Sequence, residues 1–264
     1  MDLNLTQKHV FITGGSKGIG FACAQGFLAE GSRVSLVSRS TENLMKAKED
    51  LEKSFPKCVV HTVVANLSDA SDAERAIADA EQHLGPIDVL INSAGAAKRT
   101  PPSELTASAW HDAMDAKYFS YIHVLGPITA AMAERGSGAV VNVIGAGGKV
   151  ANPIHMPGGA ANAALMLVTA GMAAAYADQG VRVNAINPGA TLTDRLKEGL
   201  AAQARMEGTG IEEAEKKATA RIPMGRMAKP EEIANAALFL ASEKASYISG
   251  VVMTMDGVSH PIVV

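Results

Sequence analysis

The sequence predicts an α/β fold with one doubly wound domain, in which helices cover both faces of a mostly parallel seven-stranded sheet. Three observations support this fold class. Segments with strand-like and helix-like composition alternate along the whole chain. The strand-like segments are apolar throughout, as is typical of strands buried on both faces. A glycine-rich turn joins the first strand-like segment to the first helix-like segment.

Each element is predicted from a local pattern. Short runs rich in β-branched residues predict the strands, which are Lys8–Thr13, Arg33–Ser38, Val59–Ala65, Asp88–Asn92, Gly138–Ile144, Val181–Ile186 and Val251–Met255. Longer segments predict the helices, which are Ile19–Glu30, Thr41–Ser54, Ser71–Leu84, a helix around Ala107–Arg135, an alanine-rich helix that includes Ala160–Ala177, and Pro230–Ser242. The first helix is expected to end at Gly31, because glycine commonly follows the last helical turn.

The length of 264 residues fits one large α/β domain or two small ones. No linker or low-complexity stretch divides the chain, so residues 1–264 are predicted to form a single domain. The polar, glycine-punctuated stretch at residues 192–221 interrupts the alternation of strands and helices. We expect it to be an insertion over the carboxyl edge of the sheet, where a substrate lid would lie.

Composition excludes several classes of protein. A formal net charge of −3 gives no basic field for nucleic acid. Cys23 and Cys58 form no disulfide framework and have no zinc-ligand spacing, so we expect no metal site and a reduced, cytoplasmic setting. The N-terminus does not resemble a secretory signal. The apolar segment Ala160–Ala177 contains Asn162 and Gly171, and we expect a buried helix and no membrane span.

The turn after the first strand reads TGGSKGIG, from Thr13 to Gly20. Gly14 would allow the tight turn, Gly18 would let the backbone approach a pyrophosphate, and Gly20 would permit close packing of helix on strand. The following helix would direct unpaired N–H groups at the phosphates. An ordinary glycine-rich turn is the alternative, but the strand–loop–helix context favours a Rossmann-type dinucleotide-binding domain.

Four segments, in order along the chain, carry a family resemblance. TGGSKGIG is similar to the TGxxxGxG motif of the short-chain dehydrogenase/reductase family, and INSAG at Ile91–Gly95 is similar to its NNAG motif. NPGATLT at Asn187–Thr193 resembles its PGxxxT segment, and Arg221–Gly257 follows its C-terminal pattern. The chain is thus identified as a member of that family, and it resembles the 3-oxoacyl-ACP reductases within it.

The end of the second strand predicts the choice of cofactor. NAD enzymes place an acidic residue there to bind the ribose 2′-hydroxyl, whereas this chain has Ser38, Arg39 and Ser40. The fork of Arg39 suits a 2′-phosphate, and Lys17 would add a second cation, so we expect NADP(H). The alternative is that both are solvated surface charges. Asn66 stands where the family commonly has an Asp that contacts adenine. The resemblance implies these cofactor-binding residues: Gly14, Ser16, Lys17, Gly18, Ile19, Gly20, Ser38, Arg39, Asn66, Leu67, Asn92, Ala94, Gly95, Asn162, Pro188, Gly189, Thr191 and Thr193.

The catalytic residues implied by the resemblance are substituted. The family usually reduces carbonyls with an Asn–Ser–Tyr–Lys tetrad, in which the Tyr is the general acid and the Lys lowers its pKa. Here Gly145 replaces the Ser, Gly158 replaces the Tyr, Asn162 replaces the Lys, and Lys117 stands at the supporting Asn. The alignment is anchored by Asn162-Ala-Ala-Leu165, which matches the usual Lys-Ala-Ala-Leu.

Two side chains are candidates for the missing chemistry. Lys117 could project into the vacated space, where burial would lower its pKa, and His155 lies in the loop just before Gly158. The alternatives are a solvated lysine and a surface histidine. Tyr118 and Tyr176 are not natural substitutes, since Tyr118 is adjacent to Lys117 on a helix and the two side chains point in different directions.

Two classes of function remain open. The first is an NADP(H)-dependent oxidoreductase that acts on a carbonyl or alcohol of a small molecule through an atypical proton donor, with a non-redox enzyme as a variant. The second is a nucleotide-binding pseudoenzyme or sensor, which the retained cofactor motif and the lost tetrad would also fit. We expect a homo-oligomer, most simply a tetramer, because the C-terminal strand and the tail His260–Val264 would be partly exposed in a monomer.

Overall fold

The computed structural model describes residues 2–95 and 97–262, and it contains one seven-stranded sheet. All neighbouring strands are parallel, and their order across the sheet is β3-β2-β1-β4-β5-β6-β7. The strands are β1 (His9–Thr13), β2 (Arg33–Ser38), β3 (Val59–Val64), β4 (Val89–Asn92), β5 (Gly138–Val143), β6 (Val181–Pro188) and β7 (Val252–Met255). The predicted doubly wound Rossmann-type fold is confirmed.

Nine α-helices in the described residues connect and flank the strands. They are α1 (Gly18–Ala29), α2 (Thr41–Ser54), α3 (Ala70–Leu84), α4 (Ala107–Ala113), α5 (Ser120–Glu134), α6 (Met156–Tyr176), α7 (Asp194–Glu207), α8 (Ile211–Ala220) and α9 (Pro230–Ala241). Helices α7 and α8 occupy the stretch predicted as a lid. Leu200 of α7 forms a small apolar cluster with Ile222 and Met227, and Ala218 of α8 packs against it. Whether this stretch closes over a substrate stays a prediction.

The core lies on both faces of the sheet. On one face α1 and α9 pack against each other and against the sheet, burying Phe27 and Leu238. On the other face α3 and α5 cover the sheet, burying Phe11 and Val124. Each such side chain contributes about 1.5–3 kcal/mol relative to an exposed one. This two-sided burial explains why the strands are apolar throughout.

The long helix expected around Ala107–Arg135 is interrupted. Between α4 and α5, the segment Met114–Phe119 forms a π-helical turn. The hydroxyl of Ser120 donates to the carbonyl oxygens of Ala116 (3.0 Å) and Lys117 (3.2 Å), so a side chain supplements the altered backbone ladder. Such turns accommodate one extra residue per turn and often lie at functional sites.

Helix α6 is less buried than the sequence predicts. Its inner face, with Ala161, Leu165 and Thr169, packs against the sheet, but only 28% of its most apolar 18-residue window is buried. The surrounding stretch Pro153–Gln179 is long and apolar enough, by length and composition alone, to cross a membrane. The prediction of a buried helix therefore holds for the inner face of α6, while its outer face is exposed in the single chain.

Candidate active site

Three glycines shape the turn between β1 and α1. Gly14 and Gly18 have φ angles of +65° and +56°, in the left-handed region that disfavours other residues. A Cβ atom on Gly20 would overlap the carbonyl oxygen of Gly14. The turn therefore depends on glycine at each of these positions, and it leaves the backbone bare on the side that faces the cleft.

The N-terminus of α1 is free to bind an anion. Lys17 precedes the helix, and its side chain makes no capping hydrogen bond to the first turn. The first N–H groups of a helix lack partners within it and carry the positive end of the helix dipole. Together with the glycine turn, this uncapped end fits the pyrophosphate of a dinucleotide.

The other two sequence motifs converge on this turn. A Cβ atom on Gly14 would lie 2.9 Å from the carbonyl oxygen of Ser93 and 3.0 Å from the backbone nitrogen of Ala94. A Cβ atom on Gly18 would lie 3.3 Å from Cγ2 of Thr193. The loops that follow β1, β4 and β6 thus meet at the carboxyl edge of the sheet, where ligands bind in folds of this kind.

The cations predicted to bind a 2′-phosphate are available. Arg39 follows β2, Lys17 belongs to the glycine turn, and both side chains are exposed. Within residues 2–95 and 97–262 neither forms an ion pair. Asn66, after β3, is also exposed, and its backbone N–H donates to the Asp72 carboxylate at 2.6 Å.

A chain of neutral polar side chains, the amide chain, runs beneath the cleft through Thr13, Asn92, Asn142 and Thr169. Thr13 Oγ1 donates to Asn92 (3.2 Å), Asn92 donates to Asn142 (3.1 Å), and Asn142 donates to Thr169 (3.0 Å). All four residues are fully buried. Because both ends of the Asn92 amide are used, its side chain holds the strands together, and a role of Asn92 in cofactor binding stays a prediction.

His155 fills the space beside Gly158. A Cβ atom on Gly158 would lie 2.6 Å from Nε2 of His155, and one on Gly147 would lie 3.2 Å from its Cδ2. His155 belongs to a short turn before α6, in which its backbone N–H donates to the carbonyl oxygen of Asn152 at 2.9 Å and the Asn152 side chain accepts from the backbone N–H of Ile154 at 3.1 Å. The imidazole therefore lies at the point from which a side chain at position 158 would extend.

The surroundings of His155 favour its neutral form. Its Nδ1 is buried and has no hydrogen-bond partner in the described part of the chain. Burial lowers the pKa of His155, and the positive charges of Arg99, Arg195 and Lys117 lower it further. The interpretation of His155 as an ordinary surface histidine is not supported by this environment.

Lys117 projects from the π-helical turn into the protein interior. Its Nζ donates to the Tyr121 hydroxyl at 2.7 Å and to the carbonyl oxygen of Val143, at the end of β5, at 3.3 Å. Burial, followed by the charge of Arg195, lowers the pKa of Lys117 to about 7. Lys117 is buried, so the solvated-lysine interpretation is wrong.

Tyr121 was missed by the sequence analysis. It is fully buried, its hydroxyl donates to the carbonyl oxygen of Val143, and burial raises its pKa. Its position four residues after Lys117 is a signal that could have been used, because side chains at this spacing meet on one helix face. Its hydroxyl accepts from Lys117 Nζ and gives its one proton to Val143, an arrangement that suits it to positioning Lys117.

Asn162, at the usual lysine position, keeps an unused acceptor. Its side chain is 5% exposed, and Oδ1 has no partner among the described residues. Its Nδ2 would lie 3.3 Å from a Cβ atom on Gly145. The amide thus faces the glycine loop after β5, and its free oxygen could accept a hydrogen bond from a ribose hydroxyl.

One group of side chains outside the cleft has the spacing of metal ligands. Ligand atoms of His61 on β3 and of Asp79 and His83 on α3 all lie within 4.8 Å of one another. Both imidazoles already have a hydrogen-bond partner on Asp79. His61 Nε2 is 2.9 Å from its carboxylate, and His83 Nδ1 is 2.8 Å from its carbonyl oxygen. These contacts are satisfied without a metal, and we retain the prediction of no metal centre.

The fold and the glycine turn define a Rossmann-type dinucleotide-binding protein. The model of a family described as "Enoyl-(Acyl carrier protein) reductase" matches residues 14–259, and the chain belongs to the short-chain dehydrogenase/reductase family of oxidoreductases. The gluconate 5-dehydrogenase of Gluconobacter oxydans (strain 621H) is 32% identical over 254 residues, which are 96% of this chain and 95% of that protein.

Two solved structures show the same fold. The L-sorbose reductase of Gluconobacter frateurii, complexed with NADPH and L-sorbose, has a TM-score of 0.93 and 26% identity, and the match covers 100% of both chains. An NADPH-bound short-chain oxidoreductase from Pseudomonas aeruginosa PAO1, reported to contain an atypical catalytic center, has a TM-score of 0.88 and 29% identity, covering 97% of this chain and 98% of that one.

Proposed function

We propose that this protein is an NADP(H)-dependent oxidoreductase that interconverts a carbonyl and an alcohol on a small molecule, with His155 exchanging the proton. The observation that carries the proposal is the position of the His155 imidazole, 2.6 Å from where a Cβ atom of residue 158 would lie. In the family the residue at that position is the tyrosine acid. His155 therefore replaces the missing acid from a neighbouring position in the loop.

The residues of the cleft fit the dinucleotide. The uncapped N-terminus of α1 would hold the pyrophosphate, and Arg39 with Lys17 would hold a 2′-phosphate. Asn162 Oδ1, buried and without a partner in the described residues, would accept from a ribose hydroxyl. When bound, NADPH supplies the hydride that reduces the substrate carbon.

The protein's own residues would handle the proton. Reduction of a carbonyl develops negative charge on its oxygen, which needs a proton donor and a stabilising charge. Protonated His155 would donate to that oxygen, and neutral His155 would accept the proton in the reverse direction. Lys117 would supply the positive charge that Asn162 cannot, and Tyr121 and Val143 fix the position of its ammonium group.

The second candidate is an NADP(H)-binding protein without redox turnover, either a sensor or a non-redox enzyme. It is favoured by Gly145, whose φ of +133° and missing side chain leave no hydroxyl to hold a carbonyl oxygen. To separate the two, NADPH binding and its oxidation at the nicotinamide absorbance band are measured with a panel of ketones. We expect turnover in the wild type, and in His155→Ala a loss of turnover at unchanged NADPH affinity; tight binding with no turnover on any ketone would favour the second candidate.

We also propose that the chain forms a homo-oligomer through the outer face of α6 and the edge strand β7. Leu167, in the middle of α6, is 77% exposed in the single chain, and such an apolar face favours association. Part of the tail named above, residues 263–264, lies outside the described residues. Light scattering at micromolar concentration tests the proposal, and Leu167→Glu should shift the mass toward the monomer.

A reduced, cytoplasmic setting is consistent with Cys23 and Cys58, which are both free thiols.

A further inference from the structure

Arg195 reaches from α7 across the cleft to the loop after β4. Its guanidinium donates to the carbonyl oxygens of Gly95 (3.3 Å) and Ala97 (3.4 Å). The side chain of Ala97 borders the same space as His155, since a Cβ atom on Gly158 would lie 2.8 Å from Cβ of Ala97. Arg195 is therefore held beside the proposed proton donor.

Arg99 approaches the same place from the other side. Its guanidinium would lie 3.6–3.9 Å from a Cβ atom on Gly199, which is four residues after Arg195 and on the same face of α7. The backbone N–H of Thr100 donates to the carbonyl oxygen of Ile154 at 2.9 Å, which ties this loop to the residue before His155. The two guanidinium groups thus lie near each other, close to the loop that carries His155.

These two arginines lack acidic partners in the part of the chain that the structure describes. No carboxylate lies within 4 Å of either, whereas Arg75 pairs with Asp72 and Arg226 pairs with Glu232. Glu198 is the one acid whose charge acts on Arg195, and its side chain is exposed. Arg99, Arg195 and Lys117 all act as positive charges on His155, and no acidic group does. Glu198 therefore offsets the charge of Arg195 only from an exposed position outside ion-pair distance, and the charges that act on His155 are all positive.

We infer that the substrate carries an anionic group, a carboxylate or a phosphate, which Arg99 and Arg195 hold while the reacting oxygen lies at His155. Guanidinium groups bind such anions through paired hydrogen bonds, and they do so most strongly where no protein carboxylate competes. Anchoring the anion at the mouth of the cleft would place the rest of the molecule toward the His155 imidazole and toward Gly145, where the absent side chain leaves room. The inference rests on the proposed function, because His155 marks the reacting end.

The two arginines could instead bind a phosphate of the dinucleotide. The experiment distinguishes an anionic group on the substrate from a phosphate on the cofactor. Binding is measured by calorimetry on the NADP-saturated protein with two pairs that differ in charge, oxamate against oxamide and dihydroxyacetone phosphate against dihydroxyacetone. The affinity of the free protein for NADPH is measured in parallel. Binding does not require turnover, so a protein that binds the anions but reduces no ketone would overturn only the proposed function.

We expect the charged compound of at least one pair to bind about tenfold tighter than its neutral counterpart, a difference in binding free energy of about 1.4 kcal/mol. Arg99→Gln and Arg195→Gln should each remove most of that preference, and salt at about 0.5 M should weaken it. Lys197→Gln, which removes one exposed charge from the same helix, is the matched control and should leave it unchanged. Equal affinity for charged and neutral members in the wild type would overturn the inference. So would a loss of NADPH affinity in the arginine variants at an unchanged anion preference, since the arginines would then bind the cofactor.

Discussion

Gly158 and His155 share one space, and a side chain at position 158 would exclude the imidazole from it. A Cβ atom on Gly158 would lie 2.6 Å from Nε2 of His155 and still closer to its Cε1. The glycine and the histidine are therefore coupled: the tyrosine expected from the family could not be restored here while His155 keeps its position.

The first prediction concerns the addition of a single methyl group at position 158. Gly158→Ala should displace the imidazole, reduce turnover, and destabilise the fold by about 1–3 kcal/mol, as overpacking does. Gly171→Ala, on the same helix with nothing within 4 Å of the added atom, is the control and should be neutral or stabilising. Urea unfolding of both variants measures the difference. Adding His155→Ala to Gly158→Ala should recover the part of the lost stability that the imidazole causes, while the 2.8 Å contact of the added Cβ with Cβ of Ala97 remains. The coupling between the two positions is absent if the double variant is no more stable than Gly158→Ala.

The second prediction concerns the pH dependence of reduction. Burial and neighbouring cations lower the pKa of His155, and only its protonated form can donate, so kcat/KM for reduction should fall as pH rises through that lowered pKa. Lys117→Met removes one of the cations, which should raise the pKa of His155 and move the falling limb to higher pH. His155→Ala should remove the limb and reduce the rate by roughly 10²–10⁴-fold. A limb that persists in His155→Ala and is absent from the double variant His155→Ala/Lys117→Met reports the loss of charge on Lys117, whose pKa is about 7, and one that persists in both assigns the proton to another group.

The third prediction concerns the effect of Lys117 on stability. Its pKa falls from 10.5 to about 7 on folding. At about pH 7 and below, the buried ammonium group therefore destabilises the folded state by its full desolvation penalty. Between about pH 7 and 10 the unfolded chain binds more protons than the folded one, so stability rises by about 1.4 kcal/mol per pH unit from this group.

The difference in free energy of unfolding between Lys117→Met and the wild type isolates the pH-dependent contribution of Lys117 to stability. The variant's relative stability should be greatest near pH 7 and should decline steadily toward pH 10. The lost hydrogen bond to Tyr121 shifts the whole curve without changing its slope. Lys46→Met, at an exposed position on α2, should show no such slope. A pH-independent difference for Lys117→Met would mean that the buried lysine keeps an ordinary pKa.

The fourth prediction concerns the choice of nicotinamide cofactor. Arg39→Ala should weaken NADPH binding about tenfold or more, because a charge-assisted hydrogen bond contributes about 1.5–3 kcal/mol, while NADH binding stays unchanged. Lys17→Ala should have a smaller effect, and Lys46→Ala, also an exposed cation, should have none. Calorimetric titration with both cofactors checks this, and equal wild-type affinities for NADPH and NADH would contradict it.

The sequence predicts the fold almost completely. The apolar runs, together with the glycines that end helices, place both ends of every strand within two residues of their positions in the structure. They do so because the βα pattern is local and strongly periodic. The π-helical turn at Met114–Phe119 and the exposed outer face of α6 were not predicted, since both depend on packing between distant segments. The cofactor motifs were also recognisable, because phosphate binding needs glycine and an open helix end at fixed spacing.

The catalytic centre was only partly predictable. The positions of Gly145, Gly158 and Asn162 are read directly from the chain, and Lys117 and His155 were named as candidates. The overlap of His155 with the space beside Gly158 is a three-dimensional fact that no spacing reveals. Arg99 and Arg195 lie far apart in sequence, and only the meeting of the loop after β4 with α7 brings them to one opening.

The amide chain beneath the cleft has a consequence for how this protein tolerates acid and alkali. Asparagine and threonine side chains do not ionise, so the Thr13–Asn92–Asn142–Thr169 links keep the same hydrogen bonds at every pH at which the fold survives. The ends of β1, β4 and β5 are thereby held at a constant geometry while Lys117 and His155 gain and lose protons above them. Because these four side chains do not titrate, the proposed acid–base response of the site depends on Lys117 and His155 alone among the residues named here.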